Sequence, residues 1–284
     1  MVTAINRHDK GRVGKRVRRV TMTIRGTLKA TFVAVSIFGL TACGGSEPVD
    51  PAMFDAEVQR LAEEGDMYGE IFLVLKERRP TVYGKFRKIA VHEFGRGRPV
   101  REASYVAGLQ MREVFLDEIL NLSRSASDDH VKDMIDVIVT TYEHLNAEDP
   151  ADCVRSIDGL APEKVEKYPA DLRKREMQLV VDLLNSPKAM ANRRAASDKE
   201  VVNWMVNLAT SEPEIAEMFR LMESDAKRKG KDNESICNGM IKVYKRLSYK
   251  SADDRGVLFR GMALMALKQR QLLKSTEDSE DAGS

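Results

Sequence analysis

Apolar residues recur at every third or fourth position along most of this chain, and that period decides what it can fold into. From residue 100 to 122, Ala107, Met111, Val114, Phe115, Ile119 and Leu122 keep the spacing. On a helix they line one face; on a strand they would scatter over both. Val131, Met134, Ile135, Ile138, Tyr142 and Leu145 repeat the pattern, as do Ile236, Cys237, Met240, Val243, Tyr244 and Leu247. No segment alternates with period two and β-branched enrichment, so the expected fold is all-α. We expect one globular domain of about ten helices over residues 51–274.

The breaks between stripes carry start and stop chemistry. Asp50-Pro51 and Asp149-Pro150 put a capping carboxylate before a proline that suits the first turn. Gly65-Asp66, Pro80 and Gly95-Arg96-Gly97-Arg98-Pro99 interrupt the pattern, and Gly159 closes a short helix. Ser127-Asp128-Asp129 reads as an N-cap, and Ser197-Asp198-Lys199-Glu200 and Ser211-Glu212-Pro213-Glu214 read as capping boxes. Val82, Phe86, Ile89, Ala90 and Phe94 are the expected stripe after Pro80. Leu172, Leu179, Val180, Leu183 and Leu184 form another after Pro169, and Lys188–Ala196 reads as a loop. The last helix, Ala252–Lys274, is apolar on more than one side, which predicts a central position. Residues 275–284 are polar and acidic and read as a disordered tail. Tyr142-x-x-Leu145 recurs as Tyr244-x-x-Leu247 at an offset of 102, an echo compatible with two related halves or with common core choices.

The N-terminal segment has another character. After Met22, Arg25 and Lys29 precede an apolar run, Ala30, Phe32, Val33, Ala34, Val35, Ile37, Phe38 and Leu40, which ends in small residues. The run is shorter than the roughly 20 residues a membrane span needs, and its order of charge, apolar core and small residues is that of a secretory signal. The basic stretch from Arg7 to Arg19 either lengthens the positive region or lies upstream of a true start at Met22.

Leu40-Thr41-Ala42-Cys43 resembles the lipobox of bacterial lipoproteins. The resemblance implies a cleaved signal over residues 1–42, a diacylglyceryl group on Cys43, and further acylation of the new N-terminus. Two or three acyl chains anchor stably where one is marginal. It implies a lipid-anchored envelope protein, and with Gly44 after the cysteine, one on the outer membrane facing the periplasm. Residues 43–50 would be the tether, its seven residues after Cys43 reaching at most about 25 Å.

Export bears on the remaining cysteines. Cys153 and Cys237 are expected to pair, since an oxidising compartment preserves disulfides. Such a loop would contribute about 4–5 kcal/mol in a chain-entropy treatment. Charge narrows the partners. The whole chain is +2, but the first 42 residues hold nine of the 46 Lys and Arg and one of the 44 Asp and Glu. The remainder carries 37 basic and 43 acidic residues, a formal charge of −6, which gives no net basic face for nucleic acid.

No catalytic, cofactor or metal signature stands out. His92, His130 and His144 lack ligand spacing, and there is no Gly-x-Ser-x-Gly or phosphate loop. Asp128-Asp129-His130 fits a cap better than a metal site. Trp204 is either an interface anchor or a core ring, and the methionines fall mostly on core stripes. The basic run Lys227–Lys231 suits a helix C-terminus. The functional expectation is a binding protein, an envelope adaptor, inhibitor or immunity-type protein, acting through a protein partner. Alternatives are a peptidoglycan-acting hydrolase with Glu234, beside Ser235, as acid, and a scaffold tying membrane to wall.

Overall fold

The computed structural model describes residues 50–156, 168–186, 193–222 and 232–281. The signal segment, Cys43, most of the tether, Gly159 and the basic run Lys227–Lys231 lie outside the described residues. Eleven helices and no strand occur among the described residues, as the apolar period predicts. None of these helices is long and apolar enough to cross a membrane. The residues gather into two compact units, and the chain passes between them more than once.

The first unit holds α1 (Pro51–Glu63), α2 (Met67–Arg78), α3 (Pro80–Phe94), α4 (Val100–Ser125) up to Leu122, and α7 (Ala170–Asn185). Asp50 caps α1 by accepting from Ala52 N–H, and Asp66 caps α2 by accepting from Tyr68 and Gly69 N–H. Gly69 lets the two helices touch backbone to backbone, since a Cβ there would strike Leu61 and Ala62 main-chain atoms. A chain of rings fills the core between the helices. Phe54 meets Phe72 edge-on at 5.9 Å, Phe72 meets Phe86 at 5.4 Å, and Phe86 stacks on Phe115 at 6.5 Å. α2 also packs against α7.

α3 is turned relative to its expected stripe. Tyr83, Phe86, Ala90 and Glu93 are buried, whereas Val82, Ile89 and Phe94 are only partly covered. The ring chain explains the rotation, because Tyr83 packs on Phe54 at 5.7 Å and draws its own face inward. Gly97, at φ +67°, then reverses the chain into α4.

The second unit holds α5 (Asp128–Glu148), α6 (Pro150–Ser156), α8 (Asp198–Ser211), α9 (Pro213–Met222), α10 (Asn233–Ser248) and α11 (Ala252–Asp281), with the last turn of α4. Ser127 caps α5 by accepting from His130 N–H. The two halves of the Tyr-x-x-Leu echo face one another: Tyr142 of α5 and Tyr244 of α10 pack with ring centres 6.2 Å apart. Leu145 and Leu247 are both buried. The expected capping box at Ser197 forms in full, with Glu200 reaching back to the Ser197 N–H.

Two expectations are corrected here. Ser211 is no cap. It ends α8, its hydroxyl donating back to the Asn207 and Leu208 carbonyls, and Glu212 accepts the first bonds of α9 from Ile215 and Ala216. Pro213 occupies the first turn of α9, which leaves Glu212 as the boundary residue. The expected tail from Ser275 is helical as far as Asp281, since no Gly or Pro occurs between Gly261 and Gly283 to end α11. The centre of α11 is buried as its apolar content predicts, through Val257, Phe259, Met262, Ala263 and Met265. A charged residue, Arg260, sits in the middle of that stretch and is just as deeply enclosed.

Candidate functional site

Three of the charge clusters among the described residues join separate segments of the chain. In the second unit, Arg260 donates to the carbonyls of Ala126 and Arg194 and to Asp128, at 2.8–3.0 Å. Asp128 also lies 3.6 Å from Arg193. One guanidinium thus joins α11, the α4–α5 corner and the segment leading into α8. Elsewhere in that unit Glu212 accepts from Lys242 and from Arg246, and Lys242 also reaches Glu214 at 2.9 Å. Hydrogen bonding from Lys242 holds both carboxyls below their usual range and raises Lys242 in return.

The third cluster, in the first unit, borders open surface. Glu93 is 1% exposed, closed off by the side chains lying over it. Its Oε1 accepts from Gln110 of α4 at 3.0 Å and lies 3.0 Å from His92 Nδ1. Oε2 accepts no hydrogen bond among the described residues; Arg98 Nη1 stands 3.6 Å away and Arg96 lies 4.0 Å from Oε1. Burial alone would raise the Glu93 carboxyl. The bonds from Gln110 and His92 and the charge of Arg98 outweigh it and hold the group below its ordinary value. An ionised carboxylate of this kind pins the turn after α3 rather than donating a proton.

Above it the surface is mixed. Arg98 also pairs with Glu102 at 3.7 Å, and one turn further along α4 Tyr105 is 56% exposed. Leu109, a turn beyond Tyr105, is 42% exposed. Of these side chains, arginine and tyrosine are the types that concentrate binding energy in protein interfaces, and Leu109 adds apolar area beside them.

The residues singled out in the sequence separate cleanly. Cys153 of α6 and Cys237 of α10 are bonded, with Cα atoms 6.0 Å apart and no exposure. Glu234 and Ser235 lie exposed on the first turn of α10. Asp128 serves the Arg260 cluster. Trp204 is a buried ring, and Met205, Met218 and Met240 are core residues. No group of His, Cys, Asp and Glu among the described residues could hold a metal ion. The Glu93 cluster was not anticipated from residue types; the signal for it is positional, since 83, 86, 90 and 93 share one helical face. Comparison with protein-family models, with curated proteins and with solved structures finds no match for the chain.

Proposed function

We propose that this is a lipid-anchored envelope protein whose helical part acts by binding a protein partner on the periplasmic side. The observation that carries the reading is the division of roles among three cysteines. Cys43 stands in a lipobox-like context, and the other two are bonded to each other in a buried position. A buried disulfide is at home in the oxidising compartment to which such a signal directs a chain. We assign the partner's docking site to Arg96 and Arg98, which Glu93 holds, together with Tyr105 and Leu109.

The test has two parts. Replacing Cys43 with Ala should move the protein out of the membrane fraction, and mass spectrometry of the native protein should find acyl groups on Cys43. Cross-linking in native membranes should then recover one stoichiometric protein partner. Arg98→Glu with Tyr105→Ala should weaken its recovery by about tenfold or more, as loss of a central anchor does. Unmodified Cys43, or a partner indifferent to both substitutions, would defeat the corresponding half of the proposal.

A further inference from the structure

We propose that α3 lies against the anionic phospholipid headgroups of the membrane carrying the anchor, through a cationic face formed by Lys85 and Lys88. The inference rests on the lipid-anchor reading of Cys43 and adds a second, electrostatic contact to it.

Charge distribution is the first ground. Beyond residue 42 the chain is net acidic, yet between Lys76 and Arg98 it holds eight basic residues and two acidic ones. Glu93 is buried against Arg96 and Arg98, so the exposed cationic character of α3 rests on Lys85 and Lys88. Thr81, Lys85, Lys88 and His92 are all exposed and follow one another at intervals of four, three and four, which puts them in one row on α3. The opposite face of the helix, through Tyr83, Phe86 and Ala90, is buried in the aromatic core, so the row has a fixed outward direction.

Position relative to the anchor is the second ground, and it favours a membrane over a free acidic protein or nucleic acid. Only seven residues separate Cys43 from Pro51, the first residue of α1, a reach of at most about 25 Å. Four residues into α1, about 6 Å of helix, Asp55 accepts from Tyr83 at 2.6 Å and from Arg87 at 3.1 Å. The point where the tether enters the fold is therefore bonded directly to the cationic helix. An acylated Cys43 would hold that helix within reach of the bilayer permanently, which raises the effective concentration of headgroups around it. Basic side chains near an anionic surface attract it, and the attraction fades within about 8 Å at physiological salt.

Native protein is reconstituted in vesicles of phosphatidylcholine alone and of phosphatidylcholine mixed with phosphatidylglycerol. An amine-directed label then reports the reactivity of Lys85 and Lys88 by mass spectrometry, with exposed Lys250 as internal reference. The expected result is a slowing of about fivefold at Lys85 and Lys88 in the anionic vesicles. That slowing should disappear in concentrated salt and leave Lys250 unchanged. Equal labelling in both vesicles, or equal slowing at Lys250, overturns the proposal. So does protection that arises in phosphatidylcholine only when a partner protein is added, which would give the face to that protein. The same spectra read the mass of Cys43. Acylated Cys43 with unprotected lysines defeats this inference alone, whereas unmodified Cys43 defeats the anchor reading beneath it.

Discussion

Glu93 and Arg260 show how a single charge can order several pieces of backbone. Each sits on the buried face of a helix, and each gathers partners that are remote or flanking in sequence. Arg260 reaches Ala126 and Asp128, more than 130 positions away. Removing one partner of such a cluster strands the others without their counter-charge. Arg260→Ala should therefore cost about 3 kcal/mol in chemical denaturation, far more than an exposed arginine would. Glu93→Gln keeps the shape and removes the charge, and should cost about 2 kcal/mol at neutral pH. The pH dependence has a definite sign. Because folding lowers the Glu93 carboxyl from 4.5, its contribution is fully present above that value and drains away as the folded-state group protonates below it. The gap between wild type and Glu93→Gln should close correspondingly on acidification. Neither residue was legible as a cluster member in the sequence. A lone Glu or Arg on a helix reads as solvent-facing, and the partners that make burial tolerable have no local signature.

Helix ends were far more legible, because their chemistry is local. The two serines read alike as caps, Ser197 and Ser211, separate the cases. Ser197 has a loop before it and a free first turn to cap, and it forms the full box with Glu200. Ser211 is preceded by the helix it belongs to, and Pro213 already supplies the start of α9. Ser197→Ala should thus lose about 1 kcal/mol of stability. Ser211→Ala should change the unfolding midpoint by no more than about 0.5 kcal/mol. Faces of elements lie between these extremes. α10 buries the whole stripe its period predicts and α5 all of its stripe but Ile138, whereas α3 is turned because an aromatic partner from α1 selected Tyr83 over Val82. Periodicity reports that a helix has an inner face, and the neighbouring helix decides which of two adjacent rows it is.

At the scale of the whole chain, the disulfide encloses more than its own neighbourhood. Cys153 and Cys237 belong to the second unit, 84 residues apart, yet α7, which lies between them, is part of the first unit. Replacing both cysteines with Ser should lower stability by about 4 kcal/mol, the loss expected from freeing a loop of this length. A protease cut anywhere between residues 157 and 167 should leave one species on a non-reducing gel and two after reduction, because the bond spans the cut. The interleaving also limits how such a protein can be inherited. The first unit draws on residues before 123 and again on residues after 159, so no single stretch of gene encodes either unit complete. A recombination event that lifted out one contiguous segment would carry off a partial core. The two units can be duplicated, fused or lost only as a pair.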